Sequence, residues 1–124
     1  MNDADLRPLA GHARELGPRM HIHAAEHVEQ TRSSPERRGI TPIRVLYETG
    51  VLQAGALIAH GCGIVEQDLP LPAEYASTTA VACYPKAHLK HALSPLTPVR
   101  ELLGAGVTVA VGTDGAAGHN TLDV

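Results

Sequence analysis

The chain has no tryptophan, no phenylalanine and only three tyrosines in 124 residues, so its core must be built from alanine, valine, leucine and isoleucine. Cysteine is nearly as scarce. Cys62 and Cys83 share no CxxC spacing, and two cysteines do not make a disulfide framework, which fits a reducing compartment. Long apolar runs are missing too. None could span a bilayer, and the opening "MNDAD" is not a signal peptide. Neither sign of charge dominates. Ten basic and thirteen acidic residues are mixed along the chain, which excludes a nucleic-acid patch or a polybasic membrane segment. The expected location is the cytoplasm, with neither nucleic acid nor membrane as a partner. Hydrophobic residues make up 44%, the ordinary globular share, which argues against disorder.

Histidine is in surplus, with eight residues, and three of them stand in "HIHAAEH" at 21–27. Around that stretch, helix and strand signals alternate. Residues 4–16 place Leu6, Leu9, Ala13 and Leu16 at helical spacing, and Gly17-Pro18 ends that helix. "RMHIHAAE" reads as a short strand, and "HVEQTRSSPERRG" as part helix and part loop. "TPIRVLYETGVL" starts a helix, with Thr41 as N-cap, Pro42 in the first turn and Gly50 at its end. "GALIAHGCG" and "TTAVACYP" are apolar runs of strand length, joined by an irregular or helical connection. "TPVRELLGAG" repeats the Thr-Pro helix start at Thr97, and "VTVAVGTDG" is a fourth strand. Strands that are apolar on both faces and alternate with helices predict parallel pairing through right-handed crossovers. No linker interrupts them, so residues 1–124 read as one α/β domain.

The chemically able side chains collect at strand ends. His23 and Glu26 end the first strand, His60 the second, Cys83 and Tyr84 the third, Thr113 and Asp114 the fourth. In parallel α/β folds, ligands bind at the carboxyl ends of strands. Each signal alone has a plainer reading. A single buried histidine such as His60 is more often a hydrogen-bonded core residue than a ligand, and Asp114 beside glycine suits a turn. His27, His88, His91 and His119 read as mostly solvated, and Cys62 as a small packed residue. His21 and His23 share a strand face, and only one of them need be functional.

"MHIHAAEHVEQT", "LIAHGCGIVEQDL" and "LTPVRELLGAGVTVAVGTDGAAGHNTLDV" resemble the amidohydrolase superfamily. The likeness is to its branch of cytosine, guanine and methylthioadenosine/S-adenosylhomocysteine deaminases and triazine chlorohydrolases. It runs from about residue 19 to the end. The resemblance implies a (β/α)8 barrel around zinc, with iron the alternative divalent metal. By position, His23 is similar to the metal-ligand histidine of a His-x-x-Glu motif and Glu26 to its proton-shuttling glutamate. His60 resembles the histidine that contacts the metal or its water, and Asp114 the aspartate that binds the metal and helps activate the water. The implied metal set is thus His23, His60 and Asp114, and the implied catalytic set is Glu26, His60 and Asp114. The implied substrate is a small N-heterocycle, deaminated or dechlorinated at a ring carbon.

A barrel of this kind needs roughly 250 residues. The chain reads as about half of one, strands 5–8 of a TIM-type barrel, and as a fragment that ends where relatives continue. The family's first-strand His-x-His pair is missing, since "HIH" at 21–23 belongs to the later motif. Two sure ligands and one possible one predict weak or absent metal in the isolated chain. The expected partner is a missing barrel half or a second copy. A catalytically inactive half-barrel kept for assembly, and a metal-binding module without catalysis, stand as alternatives. Three motif positions depart from the family. His60-Gly61-Cys62-Gly63 replaces His-Cys-x-His, Cys83-Tyr84-Pro85 replaces His-Asn-Pro, and Ala117-Gly118-His119-Asn120 replaces Ala-Ser-Asn-Asn. Cys83 reads as a small substitute rather than a soft ligand.

Overall fold

A computed structural model describes residues 3–92 and 94–124. Four strands form one sheet: β1 (Met20–Ala24), β2 (Ala56–His60), β3 (Ala80–Cys83) and β4 (Thr108–Val111). They pair in chain order, β1-β2-β3-β4, and every pair is parallel. Parallel pairing in chain order is what the sequence pattern predicts, and it is consistent with part of the (β/α)8 barrel that the resemblance implies. Helix α1 (Asp3–Leu16) precedes the sheet. Helices α2 (Val28–Arg38), α3 (Pro42–Glu48) and α4 (Val51–Ala54) lie between β1 and β2. A 3-10 turn at Glu66–Asp68 and α5 (Pro70–Glu74) join β2 to β3. Helices α6 (Pro85–Lys90) and α7 (Val99–Gly104) join β3 to β4, and α8 (Ala116–His119) follows β4.

The registers divide the sheet into two faces. One carries Ile22, Ala56, Ile58 and Val81, which join the main core with Ile43, Val45, Leu46, Val51, Leu52, Leu102 and Val107 from the helical layer. Its fully buried members are all aliphatic, as the scarcity of aromatics predicts, and the partly buried Tyr47 and Tyr75 pack against it. The other carries His21, His23, Leu57, Ala59 and Ala82, and a smaller cluster forms where Ala59 and Ala82 meet Tyr84 and Ala87.

Local chemistry explains several boundaries. Thr41 caps α3 as expected: its hydroxyl accepts from the Arg44 N–H at 3.3 Å and donates to Asp68 Oδ1 at 3.0 Å. Gly50 takes the left-handed conformation that ends α3, but the chain then resumes as α4. The second Thr-Pro pair behaves differently. Pro98, not Thr97, precedes α7, and the Thr97 hydroxyl instead donates to the His60 carbonyl at 2.6 Å. In α1 the buried stripe is Leu6, Ala10 and Ala13, while Leu9 and Leu16 are exposed. Helical spacing located the helix but not the face that packs.

Candidate active site at the carboxyl edge of the sheet

The chain turns sharply where the strands end. Ala25 just past β1, His60 closing β2 and Asp114 past β4 all have positive φ, at 50°, 73° and 62°. Left-handed backbone at non-glycine residues costs about 1–3 kcal/mol each and clusters where geometry serves function. The carbonyl of Ala25 accepts from the Gly63 N–H at 2.7 Å, tying the loop after β1 to the loop after β2. Thr31 of α2 adds a hydroxyl bond to the Gly63 carbonyl at 2.7 Å. A side chain at Gly63 would meet Thr31 Oγ1 at 2.5 Å and the His27 carbonyl oxygen at 2.8 Å. The family's later histidine at this position therefore has no room here.

These turns bring His23, His60 and Asp114 together, with one ligand-type atom from each lying within 4.8 Å of the others. Two imidazoles and a carboxylate are the donor types that suit zinc and similar divalent metals. His23 and Asp114 are exposed, whereas His60 is only 3% exposed. Burial holds the His60 imidazole below the ordinary histidine range, with the Glu26 and Asp114 carboxylates pulling the other way. His60 is thus neutral near pH 7, the form in which a ring nitrogen can coordinate. Glu26 completes the group. Its Oε1 lies 4.0 Å from His60 Nε2 and 3.6 Å from His27 Nε2, and its backbone N–H donates to Gln30 Oε1 at 2.9 Å.

The ring of Tyr84 stands edge-on to His60, centroids 4.9 Å apart, and to His88 at 6.0 Å. Cβ at Gly112 would lie 2.8 Å from the Tyr84 ring, so β4 approaches this tyrosine too closely for a side chain there. Cys83 is buried with its thiol pushed up by burial, and it is not in the converging set. That placement fits a small substitute.

Two histidines read as solvated are buried instead. His119 packs with its Nδ1 3.1 Å from the Thr121 carbonyl oxygen, and His88 is 2% exposed, its Nε2 3.1 Å from His60 Nδ1. His27 and His91 are exposed as expected. One signal for His88 was present in the sequence. It stands four residues after Tyr84, one helical turn along the face that Tyr84 sets. A cavity of about 460 Å³ touches His21 and His23, but its other walls include Leu6, Ser34 and Leu46 from the helical layer. It opens beside β1, away from Asp114, and is not the place where the polar groups converge.

No family model matches the chain. It is 41% identical to a 5-methylthioadenosine/S-adenosylhomocysteine deaminase of Natronomonas pharaonis, over 90% of this chain and 25% of that protein. Among solved structures it is similar to an adenosine deaminase from Xanthomonas campestris with bound zinc. There the TM-score is 0.87 at 30% identity, over 99% of this chain and 27% of the other. It is also similar to the zinc-complexed atrazine chlorohydrolase of Arthrobacter aurescens TC1, with TM-score 0.87 at 26% identity, over 99% and 26%. The chain thus spans about a quarter of the length of the relatives it matches.

Proposed function

Because the chain belongs, over this matched segment, to the amidohydrolase family of deaminases and chlorohydrolases, we propose that it supplies the metal- and proton-handling edge of a hydrolase. The proposed reaction is deamination of a ring carbon in a small N-heterocycle of the adenosine-derivative, guanine or cytosine kind. One observation carries the reading: His23, His60 and Asp114 leave three different strands yet converge within 4.8 Å, with Glu26 beside them.

His23, His60 and Asp114 would hold the ion, zinc being the metal of the solved relatives. A bound divalent metal makes water acidic enough to ionise near pH 7. Glu26 is half-buried, reaches toward His60 and lies outside the converging set. It can carry a proton from the nucleophile to a ring nitrogen and on to the leaving ammonia. Asp114, exposed at the opposite margin, can accept a proton from the attacking water while it faces the ion.

Two measurements test this. Elemental analysis and calorimetric zinc titration of the chain should find weak binding that Asp114→Asn removes. Unchanged zinc uptake in that variant would show that the ligand set is wrong. Where the chain works together with the remaining barrel strands, Glu26→Gln should lower ammonia release from an aminopurine by about 10²–10⁴-fold with the metal retained. A wild-type rate, or a stripped metal, would remove Glu26 from the proton-transfer role.

A second reading has its own support. Both outer strands, β1 and β4, end the sheet without a further partner among the described residues, and Val111 on β4 is 58% exposed. Open parallel edges invite another chain segment. Assembly with a barrel half or a second copy is therefore part of the proposal, and light scattering that finds only monomer would oppose self-association.

A further inference from the structure

The margins of the site are fastened differently. The loops after β1 and β2 are joined by the backbone bond from the Gly63 N–H to the Ala25 carbonyl. After β4, the Gly112 N–H donates to the Cys83 carbonyl at 3.0 Å, and the chain then leaves the sheet to carry Asp114. Downstream it is held only where α8 (Ala116–His119) begins, two residues past Asp114.

A helix of four residues does not sustain itself. Within α8 and its cap, the Gly118 and His119 N–H groups donate to the Gly115 carbonyl at 2.9 and 3.1 Å, and the Asn120 N–H donates to the Ala116 carbonyl at 2.7 Å. Isolated helices shorter than about 12–15 residues are marginal in water, because nucleation is costly. Support must come from outside, and α8 packs on α6. Gly118 is the point of approach. A Cβ there would lie 3.4 Å from Ala87 Cβ in α6 and 3.7 Å from Asp114 Oδ2. The same turn of α8 thus borders both α6 and the Asp114 carboxylate.

Lys90, the last residue of α6, ties the two helices together. Its Nζ donates to the Ala117 carbonyl at 2.7 Å and to Asn120 Oδ1 at 2.5 Å. The last carbonyls of a helix lack intrahelical donors, and a cation there is favourable. Asn120 caps α8 in the left-handed conformation, so one ammonium group holds both the final turn and its cap. An exposed lysine contact adds little to global stability. Its local effect is larger here, because the segment it holds is a single turn.

We propose that Lys90 is a positioning residue for Asp114. It fixes α8 against α6, and α8 together with the bond from Gly112 to Cys83 clamps residues 113–115 so that the carboxylate converges with His23 and His60. Asp114 is held at φ 62°, a left-handed backbone that persists at a non-glycine residue only where its surroundings enforce it. Lys90 itself lies outside the converging set. The inference rests on Asp114 being a member of the site proposed above.

The test reads the backbone first. In ¹⁵N relaxation of the metal-free chain, the Asp114 amide should be rigid, with an order parameter of about 0.85. Lys90→Met keeps the aliphatic stem and removes the donors, and should lower that value toward about 0.6 while β3 stays rigid. Lys90→Arg, which can still donate to both acceptors, should restore it. An Asp114 that stays rigid in Lys90→Met, or loosens equally in both variants, overturns the proposal. Should Lys90→Met not fold, Asn120→Gly keeps the left-handed turn, removes the side-chain acceptor and should loosen Asp114 in the same way; a rigid Asp114 there also overturns it. Calorimetric zinc titration follows, and Lys90→Met should weaken binding by about 3–10-fold. Unchanged zinc affinity beside a loosened Asp114 would leave the clamp standing and remove Asp114 from the ligand set, so the two failures are separately visible.

Discussion

The two central strands and the two outer strands of this sheet behave as different materials. β2 and β3 are almost wholly buried and carry Ile58, Ala59, Val81 and Ala82. β1 and β4 alternate or stand largely open, and Val111 projects into solvent. The candidate site draws on both. His60 comes from the buried pair, and His23 and Asp114 come from the open ones. Stability and binding should therefore separate by strand, with one residue, His60, serving both.

The largest effect should come from the centre. Ile58→Ala removes a fully buried side chain from β2 and should lower unfolding stability by about 2–5 kcal/mol, read from chemical denaturation. A cost under about 1 kcal/mol would break the contrast between strands. The next effect is a pH dependence. Burial lowers the pKa of both His60 and His88 from their ordinary value of 6.5. Above 6.5 both are neutral whether the chain is folded or not, and their contribution is complete. As pH falls below 6.5, the unfolded chain takes up protons first, and stability is lost until the folded pKa values are passed. The metal-free melting temperature should drop as pH falls below about 6.5, and a flat or rising trend there would contradict the burial assigned to this pair. Asp68 works in the opposite sense. Burial raises its carboxyl above 3.8, and its Oδ2 has no hydrogen-bond partner. Its contribution is complete below 3.8 and shrinks as pH rises through the folded pKa, so Asp68→Asn should flatten the acid side of the profile.

The outer strands should give smaller stability effects. His23→Ala and Asp114→Asn alter exposed side chains, and each should change stability by no more than about 0.5 kcal/mol. Asparagine tolerates the left-handed backbone at position 114. Both variants should nonetheless abolish zinc uptake by calorimetry. Val111→Thr on β4 should be close to neutral, because threonine keeps the β-branched shape on a solvated surface.

Much of this architecture was legible in the sequence because its signals are local. Four apolar runs, a threonine-proline helix start at Thr41 and glycines at turns are read from near neighbours, and strand ends then place His23, His60 and Asp114 on one edge. What escaped depends on distant partners. Thr97 has the same local signature as Thr41, yet its hydroxyl bonds a carbonyl 37 residues away in sequence instead of capping a helix. His88 lies in a short helix between a proline and a lysine, and only the return of α6 over the sheet reveals it as buried. Helices α6 and α8 were not foreseen, because six and four residues carry too little periodicity to read. Leu9 and Leu16 satisfied helical spacing while facing away from the partner layer.

The strand order, identical to the chain order, also bears on how such a chain is made. Each strand pairs with the one translated just before it. A ribosome that releases residues from the amino end therefore presents every emerging strand with an edge already formed. No early strand waits for a distant one, and a single crossover separates each pair, so the sheet can grow by addition without rearrangement. Among these four strands β4 is added after the other three and brings Asp114, so His23, His60 and Asp114 come together only once that strand pairs.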